Sequence, residues 1–266
     1  MNNILSLFNH PILNSSGQIT NTYKQIDDLL NTNLSCICLN SCTLKRNDNN
    51  LGYKLYRQYI LNYYNSNNKV KPIILSIYYE NMDNLKFILN DLRNIINKTI
   101  LIEINIHECG YDIQFLKDLC LELLKYYNLN SKLLIGLKLP PYLNNNFIND
   151  VSDIINLYNS VYFLVLSNTE TILNITDGNL DSDSLNNVNK QIAINNIRLF
   201  KQKLLDSIIL IGCGGIKTVN DIKDYINYGA SLVQIDSNFY TSDINYVNYK
   251  EINELVNKYI QIKSKI

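Results

Sequence analysis

Two rhythms of apolar residues alternate along this chain. Short continuous runs of Ile, Leu and Val are followed by stretches whose apolar positions recur three and four residues apart. The first pattern predicts strands buried on both faces, the second amphipathic helices. Residues 8–14 form an extended entry, and helical spacing follows over 22–30 through Tyr23, Ile26, Leu29 and Leu30. Strands are predicted over 36–39, 73–77, 100–106, 133–139, 161–166, 208–213 and 231–235. Helices are predicted over 51–64, 81–94, 113–126, 146–157, 192–205, 219–228 and 249–266. Pro140 and Pro141 stop the strand before them, since neither can donate to a ladder. Residues 174–189 are polar and poor in apolar positions, which predicts a mobile excursion. Strand and helix alternate without a compositional break, so the expected fold is α/β. One (β/α)8 TIM barrel over residues 1–266 fits best, with an open doubly wound sheet as the alternative.

The run Ile-Ile-Leu-Ile-Gly-Cys-Gly-Gly-Ile-Lys at 208–217 ends a strand in glycines just before a helix. Gly214 and Gly215 have no Cβ, so the chain can turn sharply there and bring N–H groups against an anion. The last two strands of such barrels commonly share a phosphate site at their C-terminal ends. A glycine turn without a ligand is the competing reading.

Composition removes several classes of partner. The chain has 266 residues, 46% of them hydrophobic, enough for a large core. Its formal net charge is +0 and it has no basic cluster, so neither nucleic acid nor an anionic membrane is an expected partner. No apolar run approaches a membrane span, and the opening Met-Asn-Asn-Ile-Leu-Ser-Leu-Phe-Asn-His-Pro is too short and interrupted for a signal peptide. The six cysteines contain no CxxC pair and only His10 and His107 could join them, so no metal site is expected. Reduced core thiols in a cytoplasmic protein are the reading that follows.

Several strand ends together resemble dihydroorotate dehydrogenase, in particular the soluble dimeric class that uses FMN and commonly fumarate. They are Asn14-Ser15-Ser16-Gly17 (Asn-Ala-Ser-Gly in the family), Ser41-Cys42-Thr43-Leu44, Gly136-Leu137-Lys138-Leu139-Pro140-Pro141-Tyr142 and Gly212-Cys213-Gly214-Gly215-Ile216. Gln234-Ile235 begins the last motif. The resemblance implies FMN as cofactor and a homodimer. It implies flavin contacts from Ser15, Ser16, Gly17, Asn40, Ser41, Asn105 and Ser237, with Gly214 and Gly215 at the phosphate. Lys138 would stand beside the ring and stabilise its reduced, anionic form. The family's reaction removes a proton from C5 of a dihydropyrimidine while hydride passes from C6 to the flavin.

Departures fall at chemical positions. The family lysine ahead of Ser-x-Thr is Asn40 here, and the stretch Asn-Ser-Met-Gly-Leu-Pro-Asn is missing between Arg46 and Gly52. Asn-Leu-Ser-Cys-Pro-Asn reads Asn105-Ile106-His107-Glu108-Cys109-Gly110, which puts Glu108 at the place of the catalytic cysteine and Cys109 one residue later. A one-residue offset turns a strand side chain to the other face, whereas a loop can absorb it. Glu108 and Cys109 are therefore the candidate bases, against a plain loop thiol at Cys109. Val-Asn-Ser reads Val165-Leu166-Ser167, an alkyl group for a substrate amide, and Asn186-Asn187 replaces a glycine pair. Gly-Thr or Gly-Ser reads Asp236-Ser237. That carboxylate would repel a phosphate unless it points away or Lys190 or Lys217 neutralises it.

The expectation is a dihydroorotate dehydrogenase-like barrel whose substrate and flavin sites are eroded and whose ancestral activity is lost, leaving a small-molecule substrate doubtful. An active FMN-dependent oxidoreductase with an altered substrate, using Glu108 or Cys109 as base, is the alternative. An unrelated phosphate-binding barrel enzyme is third.

Overall fold

A computed structural model describes residues 4–46, 50–66, 71–95, 98–106, 109–127, 132–167, 182–235 and 248–264, with the backbone alone for Gln18 and residues 182–186. Eight strands appear in chain order: β1 (Ile12–Asn14), β2 (Ile37–Cys38), β3 (Ile73–Tyr78), β4 (Ile100–Asn105), β5 (Leu133–Leu139), β6 (Phe163–Leu166), β7 (Ile209–Cys213) and β8 (Leu232–Ile235). Each is followed by a helix: α1 (Tyr23–Leu30), α2 (Tyr53–Ser66), α3 (Met82–Ile95), α4 (Ile113–Tyr127), α5 (Asn145–Tyr158), α6 (Ser182–Lys203), α7 (Val219–Asn227) and α8 (Tyr249–Lys263). All seven ladders are parallel, in the order β1-β8-β7-β6-β5-β4-β3-β2. Helices between parallel strands wrapped into a nearly closed sheet make this a (β/α)8 barrel.

Strand alternation divides the core into two apolar layers. Ile102, Ile104, Leu137, Leu164, Leu166 and Leu210 pack outward against the helices. Leu13, Cys36, Cys38, Ile74, Leu101, Leu134, Phe163, Val165, Ile209, Ile211, Cys213 and Leu232 fill the lumen. Large and small residues interdigitate there: a Cβ at Gly136 would lie 2.3 Å from the Phe163 ring.

No ladder joins β1 to β2, and a side chain closes that seam. Asn14 Nδ2 donates to the Cys38 carbonyl at 2.6 Å, and the Cys38 N–H donates to Asn14 Oδ1 at 2.9 Å. One carboxamide thus does the work of two ladder bonds. Below it, the Ser35 N–H and hydroxyl both donate to the Ile12 carbonyl, at 3.0 and 2.9 Å.

One predicted boundary is corrected. The excursion expected over 174–189 is helical from Ser182 onward, so α6 begins ten residues before the predicted 192. The apolar stripe that periodicity detects starts only at Ala193, Ile197 and Phe200. The earlier half is held by an ion pair instead: Lys190 Nζ meets Asp221 at 2.5 Å and Asp224 at 2.7 Å on α7. Residues 168–181 lie outside the described residues.

Replacing Asn14 by Ala is expected to destabilise the fold by about 2–4 kcal/mol, because the buried N–H and C=O of Cys38 both lose their partner. Gly136→Ala, which forces the Phe163 ring to shift, is expected to cost about 1–3 kcal/mol. Urea unfolding followed by circular dichroism measures both, and an unchanged midpoint in either variant contradicts its argument.

Candidate functional site

The C-terminal strand ends, where barrels of this kind carry their chemistry, meet in a polar network around one carboxylate. Glu103 of β4 is fully buried. Its Oε1 accepts from the hydroxyls of Ser16 at 2.9 Å and Ser76 at 2.8 Å, and its Oε2 from Gln234 Nε2 at 2.8 Å. Parallel register pairs Ser76 with Glu103, and Asn105 with Lys138. Position in the sheet therefore assembles most of the cluster.

The bonds have a direction. Lys138 Nζ can only donate, and it donates to Ser16 Oγ at 3.1 Å, so the Ser16 proton goes to Glu103. On the other side Asn105 Nδ2 donates to Ser41 Oγ at 3.3 Å, and Ser41 and Ser76 share a hydrogen bond of 2.9 Å. Ser76 spends its only proton on Glu103, so Ser41 must be the donor between them. Two arms, one from Lys138 and one from Asn105, run downhill to the same oxygen. The Cys38 thiol lies in the same lumen, where burial and then the Glu103 charge push it well above its ordinary pKa, with Lys138 opposing.

The glycine turn after β7 has its own support. Gly214 and Gly215 both have positive φ, 115° and 61°, where a Cβ would strain the backbone. Neither N–H donates to a described residue. Tyr225 of α7 holds the turn from outside, its hydroxyl donating to the Gly214 carbonyl at 2.6 Å. Its ring passes so close to β7 that a Cβ at Gly212 would lie 2.1 Å away. The three glycines thus serve two purposes: Gly212 admits a tyrosine ring, and the pair makes the turn.

Ser16, Ser41, Asn105 and Lys138 are therefore joined in one network. Ser15 is buried beside it, and its N–H donates to the Ile235 carbonyl at 2.9 Å, tying the loop after β1 to β8. Gly17 starts the short 3-10 turn Gln18–Thr20, its carbonyl accepting from the Thr20 N–H. Asn40 is engaged locally: its Nδ2 donates to Asn21 at 2.6 Å and its Oδ1 accepts from the Ser41 N–H at 2.8 Å. Cys109 is half-buried in the 3-10 turn Cys109–Tyr111. Glu108, His107, Asp236 and Ser237 lie outside the described residues.

One expectation changes. Leu166 does not line the mouth; alternation sends it to the outer layer, and Val165 faces the lumen. Lys190, one of the two lysines considered for the carboxylate at 236, is bound by Asp221 and Asp224, while residue 236 itself lies outside the described residues. At Gly110 there is no room for a side chain, since a Cβ would lie 2.5 Å from Pro140 Cδ. The Gly110 carbonyl accepts the Tyr142 hydroxyl at 2.7 Å, and Asn196 brackets the Tyr142 backbone with bonds of 2.9 and 2.7 Å. The Pro-Pro-Tyr motif is thus a packing anchor.

Glu103, Ser76 and Tyr225 were not singled out from sequence. A charged residue inside the apolar run Ile-Leu-Ile-Glu-Ile-Asn was the available signal, because an acidic side chain is seldom fully buried without partners. Among the described residues no three His, Cys, Asp or Glu side chains converge as a metal site, and no helix is long and apolar enough to cross a membrane.

Comparison with known proteins agrees with this geometry. The family model described as dihydroorotate dehydrogenase matches residues 48–259. Dihydroorotate dehydrogenase (fumarate) of Lachancea kluyveri is 24% identical, covering 94% of this chain and 91% of the relative. Dihydroorotate dehydrogenase A (fumarate) of Lactococcus lactis subsp. cremoris is also 24% identical, covering 86% and 84%. In fold, the chain is similar to the crystal structure of dihydroorotate dehydrogenase in complex with ferulenol from Eimeria tenella. That match has a TM-score of 0.65 and 14% identity, over 97% of this chain and 82% of the other.

Tyr225→Phe is expected to lower stability by about 1 kcal/mol, read from urea unfolding, because the Gly214 carbonyl loses its donor. A pH dependence follows from the start of α7. Burial pushes the Asp221 carboxyl up, and hydrogen bonds from Lys190, the Lys217 and Thr218 amides and the Thr218 hydroxyl outweigh it, leaving it below the ordinary value of 3.8. A carboxyl lowered by folding stabilises above its unfolded pKa and loses that contribution as pH falls through the folded value. The stability gap between wild type and Asp221→Asn should therefore be open at about pH 6 and close toward about pH 2. A gap independent of pH would contradict the assignment.

Proposed function

Because the chain belongs to the dihydroorotate dehydrogenase family, we propose that it keeps a flavin-type barrel mouth and no longer oxidises dihydroorotate. A division between two sets of residues carries this reading. On the flavin side, Lys138, Ser16 and the Gly214–Gly215 turn are held by the chain's own bonds. On the substrate side, matching positions are committed elsewhere: Asn40 to Asn21, Leu166 to the outer core, and Gly110 to Pro140 and Tyr142. A site built around a polar ring loses about 1–3 kcal/mol for each polar group left unpaired, so the two amides replaced at Gly110 and Leu166 weaken dihydroorotate by about 2–6 kcal/mol.

FMN suits what the described residues offer. There are two positive-φ glycines whose N–H groups point at no described acceptor, and a buried ammonium. Two buried polar atoms, Ser15 Oγ and Gln234 Oε1, lack a hydrogen-bond partner, as is expected where a ligand completes a site. When bound, FMN supplies a two-electron acceptor. Gly214 and Gly215 would hold its phosphate, Ser15, Ser16 and Gly17 would line it through their backbone, and Lys138 would set positive charge at the ring. A homodimer in the cytoplasm, one barrel per chain over residues 1–266, belongs to the same proposal.

Cys109 favours a second reading, oxidation of a different substrate with that thiol or Glu108 as base. It is a half-buried thiol directly after β4, near enough to Tyr79 to help burial push that hydroxyl upward.

Titration with FMN is expected to give a yellow protein with absorption at about 450 nm, unbleached by dihydroorotate. Lys138→Ala should weaken FMN binding by about tenfold or more, as loss of a charged hydrogen bond does. Bleaching by dihydroorotate, or a protein that stays colourless with FMN, would overturn the proposal. Bleaching by another reduced substrate that disappears in Cys109→Ser would establish the second reading.

A further inference from the structure

Glu103 has no part in the flavin contacts above, and its position needs a reason. It sits on the lumen face of β4, with Leu101 two residues below it and Asn105 two residues above. Leu101 shows that this face accepts an alkyl side chain. A leucine at 103 would have avoided the desolvation of a charge, and buried ionic groups are often no better for stability than apolar ones of the same size. Yet the carboxylate accepts from Ser16 in the loop after β1, Ser76 of β3 and Gln234 of β8, and at longer range, 4.0 Å, from the Cys38 thiol of β2. Its link to a cation is indirect: Ser16 stands between Glu103 and the Lys138 ammonium, at 2.9 and 3.1 Å. Through Ser76 and Ser41 the same oxygen governs Asn105. The two polar groups at the top of β4 and β5 are therefore both linked, through serine hydroxyls, to one buried charge.

We infer that Glu103 is the positioning residue of this mouth: relayed by Ser16, it anchors the Lys138 ammonium and offsets part of the charge that lysine presents to a ligand. It touches neither cofactor nor substrate and acts through other side chains. Its consequence for a flavin rests on the FMN reading above. A negative charge behind Lys138 makes an added electron pair at the ring less favourable, so Glu103 holds the flavin at a lower potential than Lys138 alone would.

Two measurements on the intact protein test this. In the first, without flavin, acetylation of Lys138 by acetic anhydride is followed by mass spectrometry as a function of pH. Removing a nearby negative charge disfavours the ammonium, so the pH midpoint of labelling should move down in Glu103→Gln and, by less, in Ser16→Ala. A role confined to packing would change the amount of folded protein and leave that midpoint in place. In the second, on FMN-loaded protein, the flavin midpoint potential should move positive in Glu103→Gln and negative in Lys138→Met. If wild type retains no flavin, the functional reading fails and the labelling result alone decides this inference. Should Glu103→Gln fail to fold, Ser16→Ala carries the labelling test. An unmoved labelling midpoint, or a flavin potential in Glu103→Gln that stays put or moves negative, would overturn it.

Discussion

An eight-stranded barrel has to close, and here the last joint is made by a side chain. Between β1 and β2 the Asn14 carboxamide supplies both a donor and an acceptor to Cys38, where a ladder would otherwise use two backbone groups. The joint fixes more than the sheet. Ser15 and Ser16 follow Asn14 directly, and only with the seam shut does Ser16 reach across the lumen to Glu103 and Lys138. Loss of the joint would strand two backbone polar groups and also remove one arm of the polar network.

The lumen trades stability for orientation. Its lower part is close-packed and apolar, with the Phe163 ring lying where a side chain at Gly136 would be. Its upper part holds Glu103, Ser76, Gln234 and Lys138. Glu103 and Lys138 form no direct ion pair with each other; a hydroxyl separates them, which keeps the hydrogen bonds on either side directional. Networks of this kind are valuable only when nearly every member is satisfied. Two of the buried atoms without partners, Ser15 Oγ and Gln234 Oε1, sit in the loop after β1 and on β8 beside that network.

Sequence patterning revealed the fold because each strand is a continuous apolar run and each helix a periodic one. The eight strand–helix units were legible for that reason. The start of α6 was not, since Lys190 holds it by charge rather than by an apolar stripe. The site was legible only in part. Ser16, Ser41, Asn105 and Lys138 stood in matching motifs, but Glu103, on which their hydrogen-bond chains converge, did not. Its hydrogen-bonding neighbours come from positions 16, 76 and 234, and no local spacing can report a contact among segments so far apart in the chain. Leu166 misled for a related reason: a motif gives a residue's position, and only the alternation of the strand decides its face.

The residues that depart from the family pattern are not empty places in a decayed mouth. Gly110 lets Pro140 close in and offers its carbonyl to Tyr142. Asn40 folds back on the Ser41 amide and reaches Asn21. Leu166 extends the outer apolar layer. In each case the residue present is satisfied by contacts within the protein itself. Ligand sites are where a fold tolerates exposed or unpaired polar groups at some cost in stability. When the chemistry no longer requires them, substitutions that satisfy the chain internally stabilise it. The same logic explains the survivors. Ser16 bonds directly, and Lys138 through Ser16, to a carboxylate that the core cannot leave unpaired, so this side of the mouth is ordered by the barrel's own need to satisfy Glu103.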